Sequence, residues 1–300
     1  MMRFASYAFA ASLMFSACVA DEDVDPATSS QSQDVKSETR PKHVHGAKGE
    51  ASRPARSAAI SYHGGPVMTG TVNIHYIWYG NWSGNSATTI LPALASSLGG
   101  SPYEQINATY YNGSGTHVSG NISYAGSTND NYSHGTSLSD AAIEQVVAAT
   151  NPTDTNAIYM VLTSSDVTAS SGFCTQYCGW HTDATINGRD IKYAFVGNPD
   201  RCPSSCEEQT TSPNGNAGAD GMASIIAHET EEAISDPDLN AWYDRQGAEN
   251  ADKCAWTFGN ESTASNGSKY NLTMGGRNWL IQRNWNASTQ GCQRVLGSTN

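Results

Sequence analysis

The stretch that decides the fold is NGNAGADGMASIIAHETEEAISDPDLNAWYDRQGAENADKC, residues 214–254. Its centre is the run His228-Glu229-Thr230-Glu231-Glu232. On an α-helix, His228, Glu232 and Asp236 fall on one stripe, and Glu229 lies at its edge. The other side is mostly apolar and contains Met222, Ala223, Ile226, Ala227, Ala233 and Ile234. The pattern predicts a helix that packs one face into the protein and carries an imidazole and three carboxylates on a neighbouring face.

The ends of this helix are marked by residues that favour helix boundaries. Asp220 is a candidate N-cap, with Gly221 in the first turn, because a short acidic side chain can accept hydrogen bonds from free backbone amides. Pro237 is expected to stop the helix, since proline cannot continue the backbone hydrogen-bond pattern.

The spacing H-E-x-x-E is typical of a metal site. Two ligands four residues apart lie one helical turn apart on the same side, so His228 and Glu232 can share one ion. In the zinc motif H-E-x-x-H, the glutamate is the general base for the activated water, and Glu229 takes that position here. Zinc also accepts carboxylate oxygen, so Glu232 can replace the second histidine.

A third protein ligand is expected just downstream of the helix. We favour Glu249, because Gly247 would let the chain turn back towards the helix. Asp252 is nearly as good, and Asp244 and Asp236 are further alternatives. His181 lies far away in the sequence but could reach the ion or the substrate. Calcium in a purely structural site would use the same acidic residues, and an acidic helix face without any ion is the plain alternative.

Composition and targeting signals place the chain outside the cell. The chain has 300 residues, a formal net charge of −12 and only 15% charged residues, which argues against nucleic acid as a partner. Residues 1–20 resemble a signal peptide, although Cys18 could instead be a lipid anchor. Residues 21–59 are predicted to be a disordered spacer or pro-segment. Residues 60–300 form the globular domain, with no transmembrane segment.

The cysteines fit an exported protein. Six remain after Cys18, and an even number in an oxidising compartment indicates three disulfides. The simplest pairing is Cys174–Cys178, Cys202–Cys206 and Cys254–Cys292, although the two C-x3-C pairs could bind metal instead. Glycosylation sequons occur at Asn81, Asn107, Asn112, Asn121, Asn131, Asn260, Asn266, Asn271 and Asn286.

The rest of the domain alternates between strand and helix patterns. Strands are predicted at residues 71–79, 157–163 and 191–196, and helices at 86–98 and from the start signal Ser137-Leu138-Ser139-Asp140 through Ala149. Short strands and turns are expected at 103–125 and after Asp252. These elements predict one α/β or α+β domain with a mixed sheet packed on helices and stapled by disulfides. A zincin-like layout, with the sheet above the H-E-x-x-E helix, is an analogy.

Five segments resemble the Exordium family, also called phosphate-induced protein 1. They are residues 64–82 (GGPVMTGTVNIHYIWYGNW), 161–167 (VLTSSDV), 172–181 (GFCTQYCGWH), 193–206 (YAFVGNPDRCPSSC) and 213–222 (PNGNAGADGM). The resemblance implies a secreted or cell-wall protein, and it implies no reaction. We expect the acidic residues after Gly221-Met222 to depart from the plant pattern. We therefore interpret the chain as a microbial-type member with an H-E-x-x-E helix, and do not transfer the plant growth role.

Three functions from different classes follow from these patterns. The first is a secreted zinc-dependent hydrolase, most simply a peptidase acting on an extracellular peptide or cell-wall component. The second is a non-catalytic protein that binds cell-wall glycan through aromatic residues, although such residues are usually part of the core. The third is a structural metal site. The candidate glycan-binding aromatic residues are Trp78, Tyr79, Trp82, Tyr110, Tyr111, Trp180 and Trp242.

Overall fold

In a computed structural model, the structure describes residues 42–48 and 58–298. The predicted signal peptide, the lipid-anchor alternative at Cys18 and most of the predicted spacer lie outside these residues. The strands are β1 (His43–Gly46), β2 (Ser61–Tyr62), β3 (Thr71–Tyr79), β4 (Asn121–Asp130), β5 (Ser137–Leu138), β6 (Ala157–Thr163), β7 (Thr168–Ala169), β8 (Tyr177–Ile186), β9 (Arg189–Val196), β10 (Trp242–Tyr243), β11 (Ser262–Thr263), β12 (Lys269–Tyr270), β13 (Leu272–Met274), β14 (Arg277–Trp279), β15 (Asn284–Asn286) and β16 (Gly291–Gln293).

A six-stranded mixed sheet organises the domain. Its strand order is β1-β8-β9-β6-β3-β4. The pairs β9–β6, β6–β3 and β3–β4 are parallel, whereas β1–β8 and β8–β9 are antiparallel. Every residue of β6 is buried, as expected for a parallel strand covered on both faces.

Four α-helices connect and cover these strands. They are α1 (Ala87–Leu98), α2 (Asp140–Ala149), α3 (Pro203–Cys206) and α4 (Ala217–Ser235). Three 3-10 helices occupy Glu104–Thr109, Pro199–Arg201 and Asp252–Cys254. α4 packs against β8, β9, β1 and α1. The mixed sheet, the packed helices and the disulfides confirm the predicted fold class.

Local patterns placed several elements correctly. β3 and β6 have the predicted bounds, α1 starts one residue after the predicted position, and α2 starts at Asp140, the last residue of the predicted start signal. The side chain of Ser139 caps α2 by accepting a hydrogen bond from the amide of Ala142. The predicted turns at 103–125 instead contain a 3-10 helix and the start of the ten-residue edge strand β4.

One described part of the predicted spacer is folded. Residues 42–48 lie within the segment 21–59 that was predicted to be disordered, and β1 within them pairs with the edge strand β8. The prediction of disorder is therefore wrong for these residues. Backbone pairing, the buried imidazole of His45 and the ion pair of Lys42 with Asp140 hold these residues in place. A count of large apolar side chains does not detect such contacts.

The disulfides correct two of the three predicted pairs. Cys174 bonds Cys202 and Cys178 bonds Cys206, whereas Cys254–Cys292 is as predicted. Cys202 and Cys206 lie at the two ends of the single turn of α3, where side chains four residues apart have Cβ atoms about 5–6 Å apart, too far for the roughly 4 Å that a disulfide requires. The pairs therefore form between two neighbouring segments, and they join α3 to the start of β8.

Two further observations limit the surface predictions. The sequon residues Asn107, Asn271 and Asn286 are buried, so they are not glycosylation sites on the folded protein. Among the described helices, none has the length and apolar content needed to cross a bilayer.

Candidate metal centre

α4 is the element that carries the H-E-x-x-E residues, and it starts one turn earlier than predicted. Asn216 is the N-cap and accepts a hydrogen bond from the amide of Ala219, so the prediction that Asp220 is the cap is wrong. Asp220 lies in the first turn and accepts hydrogen bonds from Asn214. Asn216 has the extended backbone geometry that an N-cap residue requires, so its side chain caps the helix.

The end of α4 is as predicted. The helix stops at Ser235, with Asp236 as C-cap just before Pro237. Oδ1 of Asp236 accepts hydrogen bonds from the amides of Asn240 and Ala241, both at 2.6 Å. Asp236 therefore shapes the turn after the helix, which is a role distinct from the metal ligand proposed as an alternative.

α4 is buried on every side. All residues from Gly218 to Ser235 are buried, including His228, Glu229, Glu231 and Glu232. The sequence predicted one face packed into the protein and a neighbouring face with an imidazole and three carboxylates, and the structure covers both faces with protein. Buried carboxylates require compensation by hydrogen bonds, protons or a cation.

Three of the predicted ligands lie together at the centre of this buried region. Nε2 of His228 is 3.0 Å from Oε1 of Glu232 and 3.6 Å from Oδ1 of Asp252. The backbone amide of Asp252 donates to the same Oε1 at 3.0 Å, which fixes the Glu232 carboxylate. Asp252 is the partly exposed member, with 17% of its side chain accessible. The cluster therefore approaches solvent at Asp252.

The second oxygen of Glu232 faces another histidine. Nε2 of His181 is 3.7 Å from Oε2 of Glu232 and 3.0 Å from Oε2 of Glu249. Ligand atoms of His181, Glu229 and Glu232 all lie within 4.8 Å of one another. The residue considered an outsider thus belongs to the cluster, and the favoured third ligand, Glu249, reaches the cluster through His181.

The loop after α4 brings these carboxylates back to the helix. Gly247 has φ +86°, a conformation that favours glycine, and its amide donates to the carbonyl of Asp244. Oδ2 of Asp244 accepts from Lys253 at 2.7 Å, and Oδ1 accepts from the amides of Gln246 and Ala248. Asp244 therefore builds the loop, while Glu249 and Asp252 are delivered to the site.

β8 is close to α4 because it has a glycine opposite Glu229. Gly179 and His181 are two residues apart on β8, so they face the same side of the sheet. A Cβ at Gly179 would lie 2.8 Å from Oε1 of Glu229 and 2.6 Å from Cγ2 of Ile225. Only glycine lets the helix and its carboxylate approach this strand.

We predict that Gly179→Ala destabilises the protein by about 1–3 kcal/mol, the usual effect of overpacking a core. Thermal unfolding of the variant beside the parent measures this. Gly291→Ala is the matched control, because a Cβ there would meet no atom within 4 Å. Equal melting temperatures for Gly179→Ala and the parent would contradict the tight contact.

The carboxylates of the cluster favour positive charge on the neighbouring imidazole. Burial by itself lowers the pKa of His228, but the neighbouring carboxylates of Glu232, Asp252 and Glu229 outweigh it and raise the pKa to about 10. Without a cation, this imidazole holds a proton that partly balances the carboxylates. A divalent metal ion bound there would replace this proton and bring more positive charge to the carboxylates.

Sequence reasoning missed His45, which packs against the site from β1. Its ring is fully buried and lies 4.0 Å from the ring of His228, centre to centre. Burial, together with the nearby His228, lowers the pKa of His45, so this imidazole is neutral. The amide of Gln282 lies 3.2 Å from its Nε2. The only signal in the sequence was a histidine in a segment predicted to be disordered.

A second acidic group, Asp183, Asp190 and Asp238, already contains a lysine ammonium group. Nζ of Lys192 is 2.5 Å from Oδ2 of Asp190 and also pairs with Asp238. The ammonium thus already pairs with two of the three carboxylates. This group is therefore a poor candidate for a metal site.

Glu231, the remaining acidic residue of the motif, points away into a buried carboxyl pair. It faces Glu104 and accepts a hydrogen bond from Asn284 at 2.6 Å. Burial raises the pKa of Glu104 to about 8, although a hydrogen bond with Glu231 acts in the opposite direction and lowers it. At neutral pH Glu104 therefore keeps its proton, so the pair carries at most one negative charge in the buried site.

This pair predicts a pH dependence of stability. Between pH 4.5, the ordinary pKa, and about 8, the native state keeps a proton on Glu104 that the unfolded chain has released. The free energy of unfolding should therefore fall as pH rises through this window, by roughly a few kcal/mol. Glu104→Gln should flatten that slope in urea titrations at pH 5 and pH 8. The exposed Glu261→Gln is the control, and parallel slopes for Glu104→Gln and parent would refute the prediction.

Comparison with known proteins identifies the family of this domain. The model of the phosphate-induced protein 1 conserved region matches residues 60–295. Protein EXORDIUM-like 5 of Arabidopsis thaliana is 33% identical, over 78% of this chain and 77% of its own. EXORDIUM-like 3 of the same plant is 32% identical, over 78% and 82%.

A more distant relative comes from another plant. Protein PHOSPHATE-INDUCED 1 of Nicotiana tabacum is 25% identical, over 79% of this chain and 88% of its own. No solved structure matches the chain significantly, so the zincin-like layout stays a prediction. The matched region includes α4, β8 and the loop that carries Glu249 and Asp252. The chain belongs to the phosphate-induced protein 1 family, which includes the Exordium-like proteins.

Proposed function

We propose that the protein is a secreted zinc-dependent hydrolase, most simply a peptidase, with its centre at the H-E-x-x-E residues of α4. The observation that carries this proposal is the buried contact of His228 with Glu232 and Asp252. Tetrahedral zinc with bonds of about 2.0–2.1 Å separates its ligands by about 3.4 Å. The distances of 3.0 and 3.6 Å from the His228 Nε2 to the two carboxylates bracket that value.

The donor set suits zinc better than calcium. Calcium takes six to eight oxygen ligands, whereas this cluster contains the imidazoles of His228 and His181, and nitrogen is a typical zinc ligand. His228, Glu232 and Asp252 would hold the ion. When bound, zinc supplies a water ligand of lowered pKa and polarises a carbonyl group.

The residues of this chain supply positioning and proton transfer. Glu229 is fully buried beside His181 and Glu232, and it would accept the proton of the attacking water and pass it to the leaving group. His181 is held by Glu249 at 3.0 Å, so its imidazole is oriented towards the same space. Glu249 thus positions His181, as carboxylates commonly position imidazoles around metals.

The experiment that tests this function is hydrolysis of fluorescein-labelled casein by the full chain. Zinc-loaded protein is expected to release labelled fragments, a chelator should stop the release, and added zinc should restore it. Zinc-loaded protein that releases no fragments during prolonged incubation at high concentration would contradict the proposal.

The extracellular location has independent support. Three disulfides are typical of proteins that fold in an oxidising compartment. Together with the plant relatives, they are compatible with an extracellular protein. Secretion itself remains part of the proposal.

A groove on another part of the surface favours glycan binding as a second candidate. Of the seven aromatic residues considered, only Tyr111 is exposed, at 38%, and the other six are buried. Tyr111 lines a groove of about 430 Å³ together with Tyr62 and Trp242. Exposed aromatic rings in a groove can stack on sugars. Pull-down on insoluble cellulose, with Tyr111→Ala as the variant, tests this candidate, and equal retention of both proteins would refute it.

A further inference from the structure

Residues 42–48, which we name the strap, run across the candidate metal centre as an added strand. β1 within the strap pairs antiparallel with β8, so that His43 lies opposite His181 and His45 opposite Gly179. Beyond β1, the amide of Ala47 donates to the carbonyl of Gln176 at 3.1 Å, and that of Lys48 to Ser205 at 2.9 Å. Backbone contacts therefore hold the strap along its length.

The strap has one side chain in a pocket and another in solvent. Val44 is 38% exposed, whereas His45 is completely buried. Gly179 lies opposite His45, whose imidazole packs against that of His228 with 4.0 Å between ring centres. Alternation of this kind is typical of an extended peptide bound to a sheet edge, where every second side chain enters a pocket.

Two residues of the domain form the wall of this pocket. The indole Nε1 of Trp256 donates to the carbonyl of Gly46 at 2.9 Å, and its ring lies 5.1 Å from that of His45. Gln282 contacts Nε2 of His45, but Nδ1 of His45 is buried without a hydrogen-bond partner among the described residues. The pocket thus holds the imidazole but gives one of its two ring nitrogens no hydrogen bond. Another side chain could therefore take the place of the imidazole.

The first residue of the strap is held at the surface. Nζ of Lys42 is 2.7 Å from Oδ2 of Asp140 and 2.9 Å from Oγ of Ser171. It also lies over the rings of Tyr177 and Trp180. This anchor is partly exposed, at 17% for Lys42, so it can be removed without opening the core.

The strap precedes the region shared with the family. The family match begins at residue 60, and β8, α4, Trp256 and Gln282 all lie inside it. The groove is therefore part of the shared domain, whereas its occupant comes from the preceding segment of this chain.

We propose that the edge of β8 beside His228 is a groove for an extended peptide, and that the strap occupies it within the same chain. The incoming peptide would add as an antiparallel strand to β8 and place one side chain in the pocket that holds His45. Main-chain hydrogen bonds would supply most of the affinity, and this one pocket would supply selectivity. The inference names a substrate class for the proposed hydrolase and rests on that proposal only for the subsequent chemistry.

Binding of a labelled peptide tests the groove directly. The probe is fluorescein-labelled Lys-His-Val-His-Gly-Ala-Lys, the sequence of residues 42–48, titrated with the full chain and followed by fluorescence anisotropy. The parent should bind weakly because the strap competes. The Lys42→Ala/His45→Ala variant should bind at least about 10-fold more tightly, since one anchor and the pocket side chain are gone. The control Val44→Thr, at an exposed position, should bind like the parent.

A second probe tests the strand pairing. The same peptide with proline in place of Ala47 lacks the amide that donates to Gln176, so it should bind at least several-fold more weakly. If thermal unfolding shows that the double variant is not folded, the Lys42→Ala variant is tested instead. Its affinity for the labelled peptide should exceed that of the parent by about 3-fold. Equal affinity of the folded variants and the parent, or equal affinity of both peptides, would overturn the groove.

Zinc content measured in the same samples separates this inference from the proposed function. Bound zinc with no gain in peptide affinity would refute the groove and leave the metal centre intact. A gain in peptide affinity without any zinc would support the groove and refute the zinc hydrolase.

Discussion

The Glu229→Gln variant should lose roughly 10²–10⁴-fold of the hydrolytic rate of the zinc-loaded parent while it keeps its zinc, because a positioned general base contributes that much. Glutamine has nearly the same shape as glutamate, so it should fit beside Gly179 and Ile225, but its amide cannot take up a proton. The measurement is the initial rate of fragment release from labelled casein, combined with the metal content of each sample.

The control for this variant is the same substitution at a distant exposed site. Glu261→Gln should hydrolyse casein like the parent, since Glu261 is exposed and lies outside the cluster. A Glu229→Gln variant as active as the parent would refute Glu229 as the base. Loss of zinc together with activity would show instead that Glu229 is a ligand, beside His181 and Glu232.

Removal of the metal should lower the melting temperature by about 10 °C. A ligand present at 1,000 times its Kd stabilises the native state by about 4 kcal/mol, and each kcal/mol corresponds to about 2–4 °C in a domain of this size. The physical reason is the set of buried carboxylates, Glu229, Glu232 and Glu249, which the cation offsets. Differential scanning calorimetry before and after dialysis against a chelator measures the shift.

The His228→Ala/Glu232→Ala variant is the control for this experiment, and its melting temperature should not respond to the chelator. Recovery of stability with zinc supports the proposed centre, whereas recovery with calcium alone supports the structural alternative. An unchanged melting temperature in the parent would contradict a stabilising metal.

Local patterns predicted the elements whose signals are contained in a single stretch of chain. β3 and β6 are runs of β-branched and aromatic residues, and α2 has a serine cap before an apolar stripe. α4 was predicted from its spacing, and Pro237 ended it as expected. Such signals depend on neighbouring residues alone, so they can be read without tertiary contacts.

The elements that sequence analysis missed depend on distant partners. β8 contains Gly179 and His181, which look atypical for a strand until α4 and the loop at Glu249 are placed beside them. β1 has few apolar residues, and its stability comes from backbone pairing with β8. The cysteine pairs likewise depend on which segments are neighbours, and sequence spacing alone does not give connectivity.

The candidate site was predicted in part. His228, Glu232, Glu229 and Asp252 are brought together, and Glu249 reaches the group through His181. The full burial of the polar face of α4 was not predicted, because the covering residues come from β8, the strap and the loop after the helix. No sequence pattern pointed to His45, because the residues that surround it, Trp256 and Gln282, lie more than 200 residues away along the chain.

Elemental analysis of the purified full chain by plasma mass spectrometry tests the central claim most directly. The account predicts about one zinc per chain, lost in the His228→Ala/Glu232→Ala variant and kept in the Glu261→Gln control. Absence of zinc from the folded parent, even after zinc is added back and excess is removed, would contradict the metal centre.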